Sequence, residues 1–220
     1  MPGAWWGRSG IWLMVIWGLG GGVPATGQTT TSSLENRHHI KLGIGFASLT
    51  GSVSASAAEG AQVSSGIQGA SSVGYRYWFQ EGWAIAIDAG ILSMDQEVSA
   101  SVRSVSVVSS IAGFLSAGAR IQPPSLQLGS RLRPFGEMML GAFSASTSSV
   151  EALPPGVEVH DQTVPGLRMG IGLDLPLGDW FVGSLAGYYN LMADFDEPIA
   201  GRENFSCLGM EVGLGVLLGG

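Results

Sequence analysis

Large apolar residues recur at every second position along most of this chain, with small, polar or charged residues between them. The last such stretch is the clearest. Leu208, Met210, Val212, Leu214, Val216 and Leu218 alternate with Gly209, Glu211, Gly213, Gly215 and Leu217. A β-strand sends successive side chains to opposite faces, so this segment has one aliphatic face and one that is nearly bare apart from a carboxylate. A soluble sandwich buries its aliphatic face and shows water a polar one. The pattern here suits lipid on the aliphatic side and a crowded lumen on the bare side.

The same period marks seven earlier segments. Ile40, Leu42, Ile44 and Phe46 oppose Lys41, Gly43, Gly45 and Ala47, and Val73, Tyr75, Tyr77 and Phe79 oppose Gly74, Arg76 and Trp78. Trp83, Ile85, Ile87, Ala89 and Ile91 oppose Ala84, Ala86, Asp88 and Gly90. Over 109–121, Ile111, Leu115 and Ile121 share a face opposite Phe114, Ser116 and Arg120. A fifth segment, with weaker sidedness, sets Met138, Leu140 and Ala142 outward and Phe135, Glu137, Met139 and Phe143 inward. Leu167, Met169, Ile171, Leu173 and Leu175 oppose Gly166, Arg168, Gly170, Gly172 and Asp174, and Phe181, Leu185, Tyr189 and Leu191 oppose Val182, Ser184, Ala186, Tyr188 and Asn190.

These eight strands are joined alternately by short and long connections. Turns at 80–82 and 176–179 and a longer link at 122–131 alternate with loops at 48–66, 93–107, 145–162 and 193–204. An even strand count with short turns at one end and long loops at the other predicts an all-β fold, an eight-stranded antiparallel transmembrane up-and-down β-barrel. Trp78, Phe79 and Trp83 flank the first short turn, and Trp180 and Phe181 flank the last. They are expected to form a periplasmic aromatic girdle, with Phe46, Phe143, Tyr189 and Phe195 at the outer interface.

Composition agrees with this pattern. Only 12% of residues are charged and 35 are Gly, and the mean hydropathy is +0.30. Beyond the N-terminus, however, no apolar run approaches the roughly 18 residues of a membrane helix. The N-terminus itself has Arg8, a short apolar core Ile11–Leu19 and small residues around Ala25 and Gly27. It reads as a secretory signal peptide spanning 1–27, ahead of a barrel domain at 28–220. A membrane anchor is disfavoured because the block is short. The single Cys207 allows no intrachain disulfide. Removing Arg8 leaves nine basic against seventeen acidic residues, a net charge of −8, which argues against a nucleic-acid partner.

The run Tyr75-Arg76-Tyr77-Trp78-Phe79, followed by Gly82-Trp83-Ala84-Ile85, resembles the second-to-third strand hairpin of the small outer-membrane β-barrel family of Gram-negative bacteria, the group that includes the OmpA transmembrane domain. The resemblance covers about 28–220. It implies an outer-membrane location, outer-membrane lipid as solvent and the outer-membrane assembly machinery as a partner. It is specific for architecture and not for activity, since such barrels serve as anchors, adhesins, small pores and lipid enzymes.

The predicted inward faces hold Lys41, Arg76, Arg120 and Arg168 together with Asp88, Glu137, Asp174 and Glu211. Two readings compete, a gated or ion-selective pore and a salt-bridged plug. Eight strands leave an interior just wide enough for side chains, and unpaired charges there are costly, so the plug is preferred. Arg120–Glu137 and Arg76–Asp88 are the expected pairs, with Lys41 and Glu211 meeting near the seam. No catalytic set is expected. His38 and His39 sit at the periplasmic mouth, and His160-Asp161 is a lone loop pair. Asp194, Asp196, Glu197 and Glu203 offer oxygens for Ca²⁺, but their spacing matches no EF-hand loop, so they read as a solvated acidic rim, with no metal and no cofactor. A soluble barrel carrying an apolar ligand needs the opposite polarity.

Overall fold

A computed structural model describes residues 34–51, 61–65, 67–100, 104–128, 131–148, 161–199 and 202–219. The expected signal peptide lies outside the described residues. The strands are β1 (His38–Leu49), β2 (Ala61–Ser65), β3 (Gln68–Gln80), β4 (Trp83–Ala100), β5 (Ser104–Ile121), β6 (Arg133–Ser148), β7 (Gln162–Pro176), β8 (Phe181–Met192) and β9 (Cys207–Leu218). β2 and β3 both pair with β4, with Ala61–Ser65 against Ala100–Gln96 and Gly69 onward against Ser93 downward. They therefore make one wall position between them, and the barrel has eight staves. All pairings are antiparallel, and the β4–β5 ladder closes the sheet into a barrel. Closure removes the unpaired edges that no membrane tolerates.

Alternation sorts the side chains as expected. β9 shows a strict buried–exposed alternation over most of its length. On the outside, Leu42 is 65% exposed, Leu140 71% and Ile171 74%. So much aliphatic surface facing outward is the signature of a lipid-bathed wall.

The short connections lie at one end. Gly82 (φ 79°) and Gly178 (φ 108°) supply the left-handed backbone for the β3–β4 and β7–β8 turns, a conformation that glycine adopts without steric cost. The β5–β6 link contains a short 3₁₀ turn, Pro124–Leu126. At the same end the chain folds in beneath β1. Asn36 takes φ 59°, its N–H donates to the Trp78 carbonyl at 2.7 Å, and the Trp78 N–H donates to the Arg37 carbonyl at 3.0 Å. Arg37 Nε donates to the Gly219 carbonyl at 2.9 Å, tying both ends of the barrel domain together. The seam beside it is the β1–β9 ladder, running from His38 against Leu218 to Leu49 against Cys207.

Two expectations about loops change. Part of the expected 48–66 loop is strand β2, and most of the expected 93–107 loop is strand, since the β4–β5 ladder continues to Ala100 against Ser104. These Ser-rich stretches carry no strong apolar period in the sequence. Backbone pairing, which needs no apolar face, carries them. Residues 52–60 and 149–160 of the expected loops, with His160, lie outside the described residues.

Candidate functional site: the filled lumen

Inward positions on every stave build the lumen in three layers. At the turn end, Leu34 enters from the N-terminal segment and packs with Trp78, Ala84, Val182 and Leu217. Trp78 is 1% exposed and belongs to this floor, not to the aromatic girdle. Its position on β3 has the parity of Arg76, and parity overrides the preference of indole for the interface. Phe79, Trp83, Trp180 and Phe181 face outward, as a girdle requires.

Above the floor lies a belt of charge. The eight predicted inward charges are all buried and form an unbranched zigzag of alternating sign. Lys41 Nζ meets Glu211 at 2.6 Å, Glu211 faces Arg168 at 3.6 Å and Arg168 faces Asp88 at 3.7 Å. Asp88 takes two bonds from Arg76, at 2.5 and 3.0 Å. Arg76 donates to Glu137 at 3.0 Å, Glu137 faces Arg120 at 3.6 Å, and Arg120 ends the chain in a short contact with Asp174. Four cations thus face four carboxylates, and two neutral donors add to them. Ser72 donates to the second oxygen of Glu211 at 2.7 Å, and Gln122 donates at 3.0 Å to the Asp174 oxygen that Arg120 also contacts.

Arg120 keeps the expected Glu137 as an ion-pair partner at 3.6 Å but makes its short contact elsewhere. Arg120 and Glu137 are direct partners in the β5–β6 register, yet the guanidinium reaches to Asp174 on β7. Its plane lies over Phe135, 3.5 Å from the ring centroid. Arg168 has no short ion pair. It donates to Asn190 at 3.1 Å and lies between Tyr188 and Phe114, at 3.8 and 4.8 Å from their centroids. Such cation–π contacts gain strength in a dry site. Phe135, Tyr188 and Asn190 were readable as inward positions, but nothing in the sequence pattern assigned them to particular arginines.

Inward glycines give these long side chains their space. A Cβ on Gly213 would stand 3.0 Å from Cδ of Lys41, and one on Gly170 would stand 3.0 Å from Cγ of Glu137. The bare strand face is therefore covered by charged side chains lying across it.

The loop end is apolar. Leu92, Phe114, Phe143, Val164 and Met192 from the staves pack with Phe195, Ile199 and Phe205 from the β8–β9 connection. Phe195 and Phe205 meet edge to face at 5.2 Å. Phe143 and Phe195 thus lie inside the barrel instead of in an outer girdle. The connection is sewn down by polar bonds. Thr50 and Gly51 N–H groups donate to the Ser206 carbonyl at 2.7 and 3.1 Å, Arg202 donates to the Gly51 carbonyl at 2.9 Å, and Gln162 Nε2 donates to the Glu197 carbonyl at 2.7 Å. Its acids divide by position: Asp194, Asp196 and Glu197 are exposed and Glu203 is half-buried. Among the described residues, no three His, Cys, Asp or Glu side chains converge as a metal set. His38 is exposed and bonds the Tyr75 hydroxyl at 2.7 Å, whereas His39 points into the lumen.

No family model matches the chain, and no curated protein matches it. Solved structures do. The outer membrane protein OprG of Pseudomonas aeruginosa aligns with a TM-score of 0.56 at 14% identity, covering 84% of this chain and 97% of that one. Neisserial surface protein A aligns with a TM-score of 0.52 at 14% identity, covering 84% and 99%. Ail, the attachment invasion locus protein of Yersinia pestis, solved with the heparin analogue sucrose octasulfate, aligns with a TM-score of 0.50 at 14% identity, covering 84% and 99%. The fold is that of the small eight-stranded outer-membrane β-barrel.

Proposed function

We propose that this chain is an outer-membrane protein of a Gram-negative-type bacterium with a non-enzymatic, structural and surface-contact role, and that its barrel does not conduct. The observation that carries this reading is the filling of the lumen at three heights: Leu34 with Trp78 at the floor, the paired charges at mid-height and Phe195, Ile199 and Phe205 at the top. A hydrated ion needs a continuous wet path. Here a path would require separating buried ion pairs and lifting an apolar cap. The outward aliphatic faces supply the lipid contact, and the exposed acidic rim at the loop end leaves the surface partner open. Reconstituted in planar bilayers, the barrel should pass no steady current. Single-channel steps of reproducible size would overturn the closed reading in favour of a narrow pore for small solutes or ions.

The proposal includes export through the inner membrane and cleavage of residues 1–27. Protein purified from outer membranes should then lack any peptide beginning at Met1 in its mass spectrum. Recovery of that peptide as the main N-terminal species would refute processing.

A further inference from the structure

Outside the lumen, a trough of about 680 Å³ crosses the outer wall between Trp83 and Leu208. That volume falls within the range of ligand pockets, about 300–1,000 Å³. The trough exists because two outward positions lack side chains. A Cβ on Gly136 would meet nothing within 4 Å, and one on Gly187 would have its nearest neighbour at 3.9 Å. Met138, Met169 and Ile171 rise beside them, and the unbranched methionines adapt readily to a flexible occupant.

Strand register gives the trough its course. Trp83 pairs with Ile121, Ile121 with Gly136, Gly136 with Ile171 and Ile171 with Gly187. The trough thus follows the ladder direction, which slants across the bilayer because barrel strands tilt. It climbs from the turn end of β4 and β5 toward the loop end of β9. Its lower end is lined by Ile121 and Gly136, which flank in the chain the β5–β6 connection that carries the exposed Arg131. Lys41, Arg76, Arg120 and Arg168 are buried in the lumen, whereas Arg131 is exposed.

We propose that this trough holds an acyl chain of an anionic phospholipid of the periplasmic leaflet, with its phosphate paired to Arg131. The inference rests on the membrane-embedded reading above. A second copy is a poorer occupant: a two-fold contact sets the same patch against itself, and two concave floors facing each other leave both unfilled.

The test uses the whole protein in vesicles of phosphatidylcholine containing phosphatidylglycerol with brominated acyl chains, which quench tryptophan on contact. The signal of Trp83 is the difference from Trp83→Phe. Quenching should show about a fivefold preference for phosphatidylglycerol over phosphatidylcholine brominated in the same way. Arg131→Gln, in an exposed connection, should remove the preference. Gly136→Leu with Gly187→Leu, both at positions with open space, should remove the preference and lower Trp83 quenching. Equal quenching by both lipids, unchanged by these variants, overturns the site but leaves the embedding intact. Shielding of Trp83 from both lipids while Trp180 is quenched overturns it in favour of a second copy. Absence of quenching of every tryptophan overturns the site and the embedding together.

Discussion

Glu137→Ala should destabilise the folded barrel by about 3–5 kcal/mol, the usual cost of removing one partner from a buried ion pair. Glu137 stands between two cations, accepting from Arg76 at 3.0 Å and facing Arg120 at 3.6 Å. Its removal leaves Arg76 with Asp88 alone and cuts Arg120 and Asp174 off from the rest of the zigzag. The space left is lined by protein, so water cannot freely restore the lost solvation. Urea unfolding of the vesicle-inserted protein measures the effect, and an unchanged midpoint would count against the paired belt. A double-mutant cycle refines it. Coupling of Arg120 to Asp174 should exceed its coupling to Glu137, because the Asp174 contact is the short one.

Leu214→Arg should cost about 2–4 kcal/mol, the penalty for a cation on the lipid face near the bilayer midplane. Leu214 is mid-strand in β9, 54% exposed, and pairs with Leu42 on one side and Gly183 on the other. In a soluble barrel the same change would expose a charge to water at almost no cost. The same urea titration decides between these settings. Wild-type stability for Leu214→Arg would mean that this face does not sit in hydrocarbon.

Side-chain period made the walls readable. Wherever lipid demands an aliphatic face, as at Leu167–Leu175 or Leu208–Leu218, alternation fixes both strand and orientation. It also made the Arg76–Asp88 pair readable, since the two lie on strands joined by a tight turn and their distance is set locally. Arg120 was harder. Its neighbour in register is Glu137, but a guanidinium on a long stem crosses a narrow lumen, and the choice of Asp174 depends on Phe135 beneath it. The β8–β9 connection was harder still. Its acids suggest a solvated loop, while Phe195, Ile199 and Phe205 follow no strand period. Only the open apolar mouth left by Phe114, Phe143 and Met192 gives them a place to go. Trp78 shows two signals in conflict, and the strand parity prevailed.

The seam between β1 and β9 bears on how the molecule is made. Lys41 and Glu211 are 170 positions apart in sequence, whereas successive staves join their near neighbours along the chain. Each of the other staves pairs with a neighbour close by in the chain, but β1 waits for the twelve-residue β9. Until then both β1 and β8 present unsatisfied backbone edges, which are templates for aggregation. Contacts of such long sequence separation form slowly. Barrel closure therefore waits for β9, and a chain whose β9 has not yet docked on β1 must be held apart from its neighbours.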